Sequence, residues 1–305
     1  MNFKSISFYL GLFSYPISLL AFINILYASY FDFFLSIDTY FITLIVSLVF
    51  GFGLTYYGKN SDKNINFFEQ LILVIGVYFS CSLLIAIPFY LSNYQVTFLN
   101  SIFEAVSGLT GTGFSIFKNI KYLDPTLILW RSSSQWIGGL FFLFFLVIIF
   151  SNKSFNYKMT SLTYSGDNNF NSKENIKDNI IRIFIIYCSI SVIILTLLNI
   201  SGLRLFNSLN MTMSLTSGGG FLPSDSIKNI IETNFQKLVF IFSLLVSMLN
   251  FYLLFNIFNK KTLFKEHRED LYLLILTIIL FALIYFNNYK GLDIIASVIS
   301  SIANS

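Results

Sequence analysis

Two short runs of small polar residues stand out. The first is Ser107-Gly108-Leu109-Thr110-Gly111-Thr112-Gly113-Phe114 and the second is Met213-Ser214-Leu215-Thr216-Ser217-Gly218-Gly219-Gly220-Phe221. Both sit between long apolar segments, and both close on Gly-Phe. Glycine visits positive φ at little steric cost, so Gly111, Gly113, Gly218, Gly219 and Gly220 would let successive carbonyls turn toward one axis. Main-chain oxygens arranged in that way replace the hydration shell of a cation. Thr110, Thr112 and Ser217 could add hydroxyl oxygens, and neither run contains a carboxylate. The simpler use of such residues is close helix packing. Two copies in matching surroundings favour a ligand set over packing alone.

The rest of the chain must hold these runs in a membrane. Of 305 residues, 55% are hydrophobic and 11% charged, against roughly 25% charged in soluble domains. Mean hydropathy is +0.73. Seven segments are long and apolar enough to span: about Ser7 to Ser29, Tyr40 to Tyr57, Phe67 to Leu91, Leu127 to Phe150, Ile180 to Ile200, Phe235 to Phe258 and Leu271 to Phe286. Short helices about Thr97 to Leu109 and Leu203 to Leu215 lead into the polar runs. A helix C-terminus carries roughly −0.5 of a charge, which suits a cation. The fold expected is therefore an all-α membrane protein.

Loop charge orients it. If the spans alternate, Lys4, Lys59, Lys63, Lys153, Lys158, Lys173, Lys177, Lys260, Lys261, Lys265 and Arg268 share one side. The positive-inside rule makes that side, and the N-terminus, cytoplasmic. Both polar runs then face outward. The net charge of +4 is small and dispersed, so a lipid bilayer rather than nucleic acid is the expected environment.

The order span, short helix, Thr/Ser-Gly run, span occurs twice and begins a third time, the pattern of an internally repeated transporter. The expected division is an N-terminal two-helix hairpin (residues 1–62), a first repeat (63–150), a cytoplasmic linker rich in Asn, Ser and Lys (151–178), a second repeat (179–262) and an incomplete third (263–305). In the third, Asp293 to Ile302 reads as a re-entrant helix, and Ala303, Asn304 and Ser305 stand where the polar run begins. About two and a half such units are present.

Ionisable groups near or inside a membrane are functional candidates. Glu104, on the first short helix, and Arg131, opening the fourth span, are read as structural support: an ion pair, with Asp124 as another partner for Arg131, or Arg131 reaching to headgroups. Gly138 and Gly139 are read as a close-approach site. Cys81 and Cys188 lie in apolar segments without a case for a disulfide or metal, and His267 sits in a charged loop. Gly53-Leu54-Thr55-Tyr56-Tyr57-Gly58-Lys59 approaches a phosphate-binding loop, but Asn60 follows where a hydroxyl is needed. No nucleophile–base pair is present, so no enzyme and no bound cofactor are expected.

Phe103-Glu104-Ala105 with Ser107 to Phe114 resembles the first pore loop of the Trk/Ktr/HKT potassium transporters. Trp130-Arg131-Ser132 through Gln135-Trp136-Ile137-Gly138-Gly139 is similar to the helix that follows that loop in Trk members. Ser214 to Phe221 resembles the second pore loop, and Ile302-Ala303-Asn304-Ser305 the start of the third. The resemblance implies four span–pore–span repeats around one pore and potassium uptake through a carbonyl-lined filter; with about two and a half of the four here, it also implies a fragment of a longer protein, or a truncated product that needs a complementary chain. It implies potassium contacts at Thr110, Gly111, Thr112, Ser217, Gly218 and Gly219, and one filter glycine per repeat, here Gly113 and Gly220. Glycine rather than serine at Gly113 implies potassium over sodium. The same resemblance implies a homodimer at full length and gating by a cytoplasmic nucleotide-binding regulatory ring, in a cell inner membrane. The competing reading is a non-conducting or split assembly subunit built on the same repeat.

Overall fold

The computed structural model describes residues 2–61, 65–150 and 175–248, with Tyr272, Ile275, Leu276 and Ile279. The described residues are helices and their connections: α1 Phe3–Tyr30, α2 Phe34–Gly58, α3 Phe67–Leu91, α4 Phe98–Thr110, α5 Pro125–Phe150, α6 Asn175–Ile200, α7 Leu205–Ser217 and α8 Asn234–Met248. Five of them are long and apolar enough to cross a membrane: α1, α2, α3, α5 and α6.

Spans one to five of the sequence reading are therefore present. Their ends differ where polar residues prolong a helix beyond its apolar part. α2 starts at Phe34, so Asp38 lies inside it, and the turn before it places Asp32 at φ 59°. α6 starts at Asn175, inside the expected linker, with Asp178 in its first turn, where a carboxylate opposes the helix dipole. The sixth span is described over Asn234–Met248 only. His267, most of the seventh span, the third re-entrant helix and Ala303, Asn304 and Ser305 lie outside the described residues, as does the linker before Asn175.

α1 and α2 form the hairpin, held by small residues. A Cβ on Gly11 would lie 2.8 Å from the Gly51 carbonyl, one on Gly51 would strike Ser14 Oγ, and one on Gly58 would strike the Lys4 carbonyl. Backbones approach this closely in membranes because small residues remove the side chains between them. The hairpin docks on α3 and α5. At its start the Asn2 N–H donates to Glu69 Oε1 (2.6 Å), while the Asn66 N–H donates to Glu69 Oε2 (2.8 Å) at the N-terminus of α3. Glu69 thus ties the chain terminus to the first turn of the third span.

A constant shift relates the two short helices and the turns that follow them. Moving 107 residues along carries Phe98 to Leu205, Thr110 to Ser217, Gly111 to Gly218 and Ile120 to Ile227. Both short helices have 13 residues, and a one-turn 3₁₀ helix follows each. α5 begins with Pro125 at its first turn, where a missing N–H costs nothing. Asp124 caps that turn by accepting from the Thr126 N–H (3.0 Å) and hydroxyl (2.9 Å). α5 then runs through the centre of the structure, against α3, α4, α6 and α7. Arg131, Ser132, Ser133, Ser134 and Gln135 along it are all at most 2% exposed.

Candidate functional site

The two polar runs begin as helix C-caps. α4 ends at Gly111 (φ 72°), whose N–H donates to the Gly108 carbonyl (3.0 Å). α7 ends at Gly218 (φ 68°), whose N–H donates to the Leu215 carbonyl (3.0 Å), while the Gly219 N–H donates to the Ser214 carbonyl (2.8 Å). This pair of bonds is a Schellman closure, which needs a left-handed residue at the turn. In the first run the position equivalent to Gly219 is Thr112, and its hydroxyl, not its N–H, reaches back to the Ser107 carbonyl (3.4 Å) and Ser107 Oγ (3.1 Å). Ser107 Oγ in turn donates to the Phe114 carbonyl (2.5 Å). Ser107 therefore holds both ends of the first run.

Thr110 Oγ1 donates to the Val106 carbonyl (2.7 Å), and Ser217 Oγ faces the carbonyls of Met213 and Ser214 (both 2.9 Å). Their hydrogens are committed to the helices behind them. Thr110 Oγ1 also lies 3.3 Å from Thr112 Oγ1.

Beyond the caps the two runs meet. Gly113 has φ 75°, and a Cβ on it would lie 2.8 Å from Gly220 Cα and 2.9 Å from Gly220 N. A Cβ on Gly220 would meet Gly113 Cα at 3.5 Å, an ordinary contact. The glycines are thus not equivalent. Gly111, Gly113 and Gly218 take positive φ; Gly219 and Gly220 do not, contrary to the expectation that all five supply that freedom. Gly219 is glycine for a different reason. A Cβ there would lie 2.5 to 2.7 Å from the amide atoms of Gln135. Gly218, by contrast, has open space where a Cβ would be. Gly218→Asn should therefore be nearly neutral, since Asn tolerates the left-handed region. Gly219→Ala should cost at least tenfold in ion flux, or about 1.4 kcal/mol, despite its ordinary backbone angle. Paired uptake measurements on the two variants check this order.

Behind the runs lies a buried ionic brace. Arg131 Nε donates to Glu104 Oε1 at 2.7 Å, with both side chains at most 1% exposed. Glu104 also accepts from Ser115 Oγ (3.0 Å) and the Ile116 N–H (2.9 Å) on the segment that leaves the first run. Arg131 Nη2 donates to Ser115 Oγ (3.0 Å). The guanidinium lies over the Phe221 ring at 4.2 Å and faces Phe117 at 5.7 Å. Asp124 is not its partner, being occupied as the cap of α5, and burial of Arg131 leaves no path to headgroups.

Two further groups complete the frame. A Cβ on Gly138 would strike the Leu109 carbonyl, and one on Gly139 would lie 2.8 Å from Tyr187 Oη and 2.9 Å from Ser217 Cα and Cβ. These adjacent glycines let α5 touch the end of one short helix and the end of the other. Asp225 accepts from the N–H groups of Ile120 (2.5 Å) and Lys121 (3.2 Å), so the second loop caps the 3₁₀ turn of the first.

Sequence reasoning missed Ser107, Ser115, Gln135 and Ser134, whose Oγ fills the space that a Cβ on Gly108 would need. The signal for the last two was present: a run of polar residues, Arg131 to Gln135, inside an apolar span, where each polar side chain needs a partner. Ser107 and Ser115 had no such mark, because serine is common in pore loops and turns alike. Cys81 and Cys188 are free thiols. Among the described residues no group of three or more acidic, His and Cys side chains could hold a metal ion.

Two short helices whose C-terminal ends meet among long apolar helices place the chain in the helical membrane class. The comparisons with known proteins agree. Residues 36–303 match the TrkH family model, described as a cation transport protein, and the chain belongs to that family. It is 28% identical over 206 residues to an uncharacterized cation transporter of Methanocaldococcus jannaschii, covering 67% of this chain and 42% of that protein. It is 25% identical over 236 residues to the Trk system potassium uptake protein TrkG of Escherichia coli, covering 75% of this chain and 48% of that protein. In three dimensions it is similar to the potassium transporter TrkH from Vibrio parahaemolyticus, with a TM-score of 0.83 and 19% identity over 99% of this chain and 63% of that one. The chain thus spans less than half the length of these curated relatives. The family is one of cation transporters, not enzymes.

Proposed function

We propose that this chain forms part of the pore of a Trk-type potassium uptake system, with the ion held by main-chain oxygens of the runs Thr110 to Gly113 and Ser217 to Gly220. The observation that carries this reading is the convergence of two capped helix C-termini on the Gly113–Gly220 contact. Each helix end brings partial negative charge to the place where a cation would lose its water. Ala303, Asn304 and Ser305 would open the third such run. The likeness to a potassium uptake protein of Escherichia coli supports potassium as the ion, and Gly113 in place of serine points the same way. The polar runs face the outside of the cell inner membrane and the N-terminus faces the cytoplasm, following the lysine distribution. The complete protein is a homodimer, with a cytoplasmic nucleotide-binding ring as regulator. The expected division of the chain into hairpin, repeats and linker stands as part of the same proposal.

The test is growth and rubidium uptake. The complete gene product should restore growth of potassium-uptake-deficient cells at low external potassium and carry rubidium inward. Failure to do either, with the protein present in the membrane, favours the non-conducting assembly subunit.

A further inference from the structure

The side chain of Gln135 belongs to the helix after the first run but works on the second. Its Oε1 accepts the Phe221 N–H (3.2 Å), and its amide fills the space that a Cβ on Gly219 would need. One turn earlier on α5, Arg131 covers the Phe221 ring. The residue is fully buried, and Nε2 has no hydrogen-bond partner. An amide donor buried without an acceptor is costly, so it is retained where its other half is needed or where an acceptor arrives. Here the other half fixes the peptide between Gly220 and Phe221. That peptide also carries the Gly220 carbonyl, because N–H and C=O are held in one plane. Fixing the Phe221 N–H therefore fixes where the Gly220 oxygen points.

We infer that Gln135 is a positioning residue that sets ion selectivity across the repeat boundary: a side chain from the first repeat aims the carbonyls of the second repeat's run. The inference rests on the reading of these runs as the ion site. Three features of the sequence then have one cause. Glycine at Gly219 makes room for the amide; Thr112 occupies the matching place in the first run, where its hydroxyl closes the turn itself. The polar run Arg131 to Gln135 interrupts an apolar span because two of its members grip Phe221 from different sides.

The experiment compares two substitutions in the complete gene product, each normalised to the amount in the membrane. Gln135→Met keeps length and volume but removes both amide atoms. Gln135→Glu keeps an oxygen acceptor for the Phe221 N–H. Rubidium uptake is measured with sodium as competitor. For Gln135→Met the preference for rubidium over sodium should fall at least about tenfold, with total cation flux retained; Gln135→Glu should keep it within about threefold, the size of a single weakened hydrogen bond. A merely structural role would lower the amount of protein or its flux without changing the preference. Unchanged preference in Gln135→Met overturns the inference. Should that variant not accumulate, Gln135→Asn, which withdraws the amide by one methylene, is read the same way, and unchanged preference there overturns it too. Gly113→Asp serves as the control for the underlying reading. If that variant conducts like the wild type, the ion site lies elsewhere; if it is silent while Gln135→Met keeps its preference, only the role of Gln135 fails.

Discussion

Gly113→Ala should reduce potassium uptake by at least about 100-fold, and Gly113→Asp should abolish it. Two costs fall on the same methyl group. A non-glycine residue at φ 75° pays roughly 1–2 kcal/mol for its Cβ. That Cβ would also stand 2.8 Å from Gly220 Cα and 2.9 Å from Gly220 N, a contact only a backbone shift relieves. Because the contact is backbone on backbone, no rotamer change absorbs it. The second run must move away, and its oxygens move with it. Together the two effects amount to about 3 kcal/mol, which is roughly two decades in rate. Gly220→Ala should do less, since its Cβ meets Gly113 Cα at 3.5 Å without strain in φ. Rubidium influx in cells expressing equal amounts of each variant measures the difference. Equal losses for the two alanine variants would remove the case for asymmetry between the runs.

The second large effect concerns stability. Glu104→Met or Arg131→Met alone should destabilise the protein by about 3–5 kcal/mol, because each leaves a charge buried without its partner. The double variant should be more stable than either single one, since a charge-free pair of similar volume carries no such penalty. It should still fall short of the wild type: without Glu104 the Ile116 N–H and Ser115 hydroxyl lose their acceptor, and without Arg131 the Phe221 ring loses its cover. Thermal unfolding of the four proteins in detergent gives the cycle. A double variant that is worse than both singles would show that the bonds to the loop, not the charges, dominate. The pair joins α4, the segment after the first run, α5 and the second run, so its loss should also loosen the Gly113–Gly220 contact.

Much of this arrangement was legible in the chain. Length and hydropathy located α3 to the residue, since Phe67–Leu91 is bounded by polar sequence on both sides. The ends of α2 and α6 were not legible, because helices continue past the apolar stretch when a first-turn carboxylate or a tight turn stabilises the extra residues. The Thr/Ser-Gly runs marked the candidate site, as glycine-rich polar sequence has few other uses between membrane spans. The reason for each glycine was hidden. Gly219 looked like Gly218 in sequence, yet one is set by a side chain 84 residues away and the other by its own backbone angle. Gln135 was hidden for the same reason: which loop a buried amide touches depends on how α5 crosses α7, and no local pattern encodes that crossing. The pairing of Glu104 with Arg131, rather than of Asp124 with Arg131, likewise depended on Asp124 being consumed as a cap.

The most direct measurement is the position of a heavy potassium analogue. Crystals of the complete protein grown with rubidium would locate the ion by its anomalous scattering. The account predicts a peak beside the Gly113–Gly220 contact, coordinated by main-chain oxygens of Thr110 to Gly113 and Ser217 to Gly220, with Glu104 and Gln135 behind them and outside the coordination sphere. A peak held by side-chain carboxylates elsewhere, or none at these runs in a protein that transports rubidium, would contradict it.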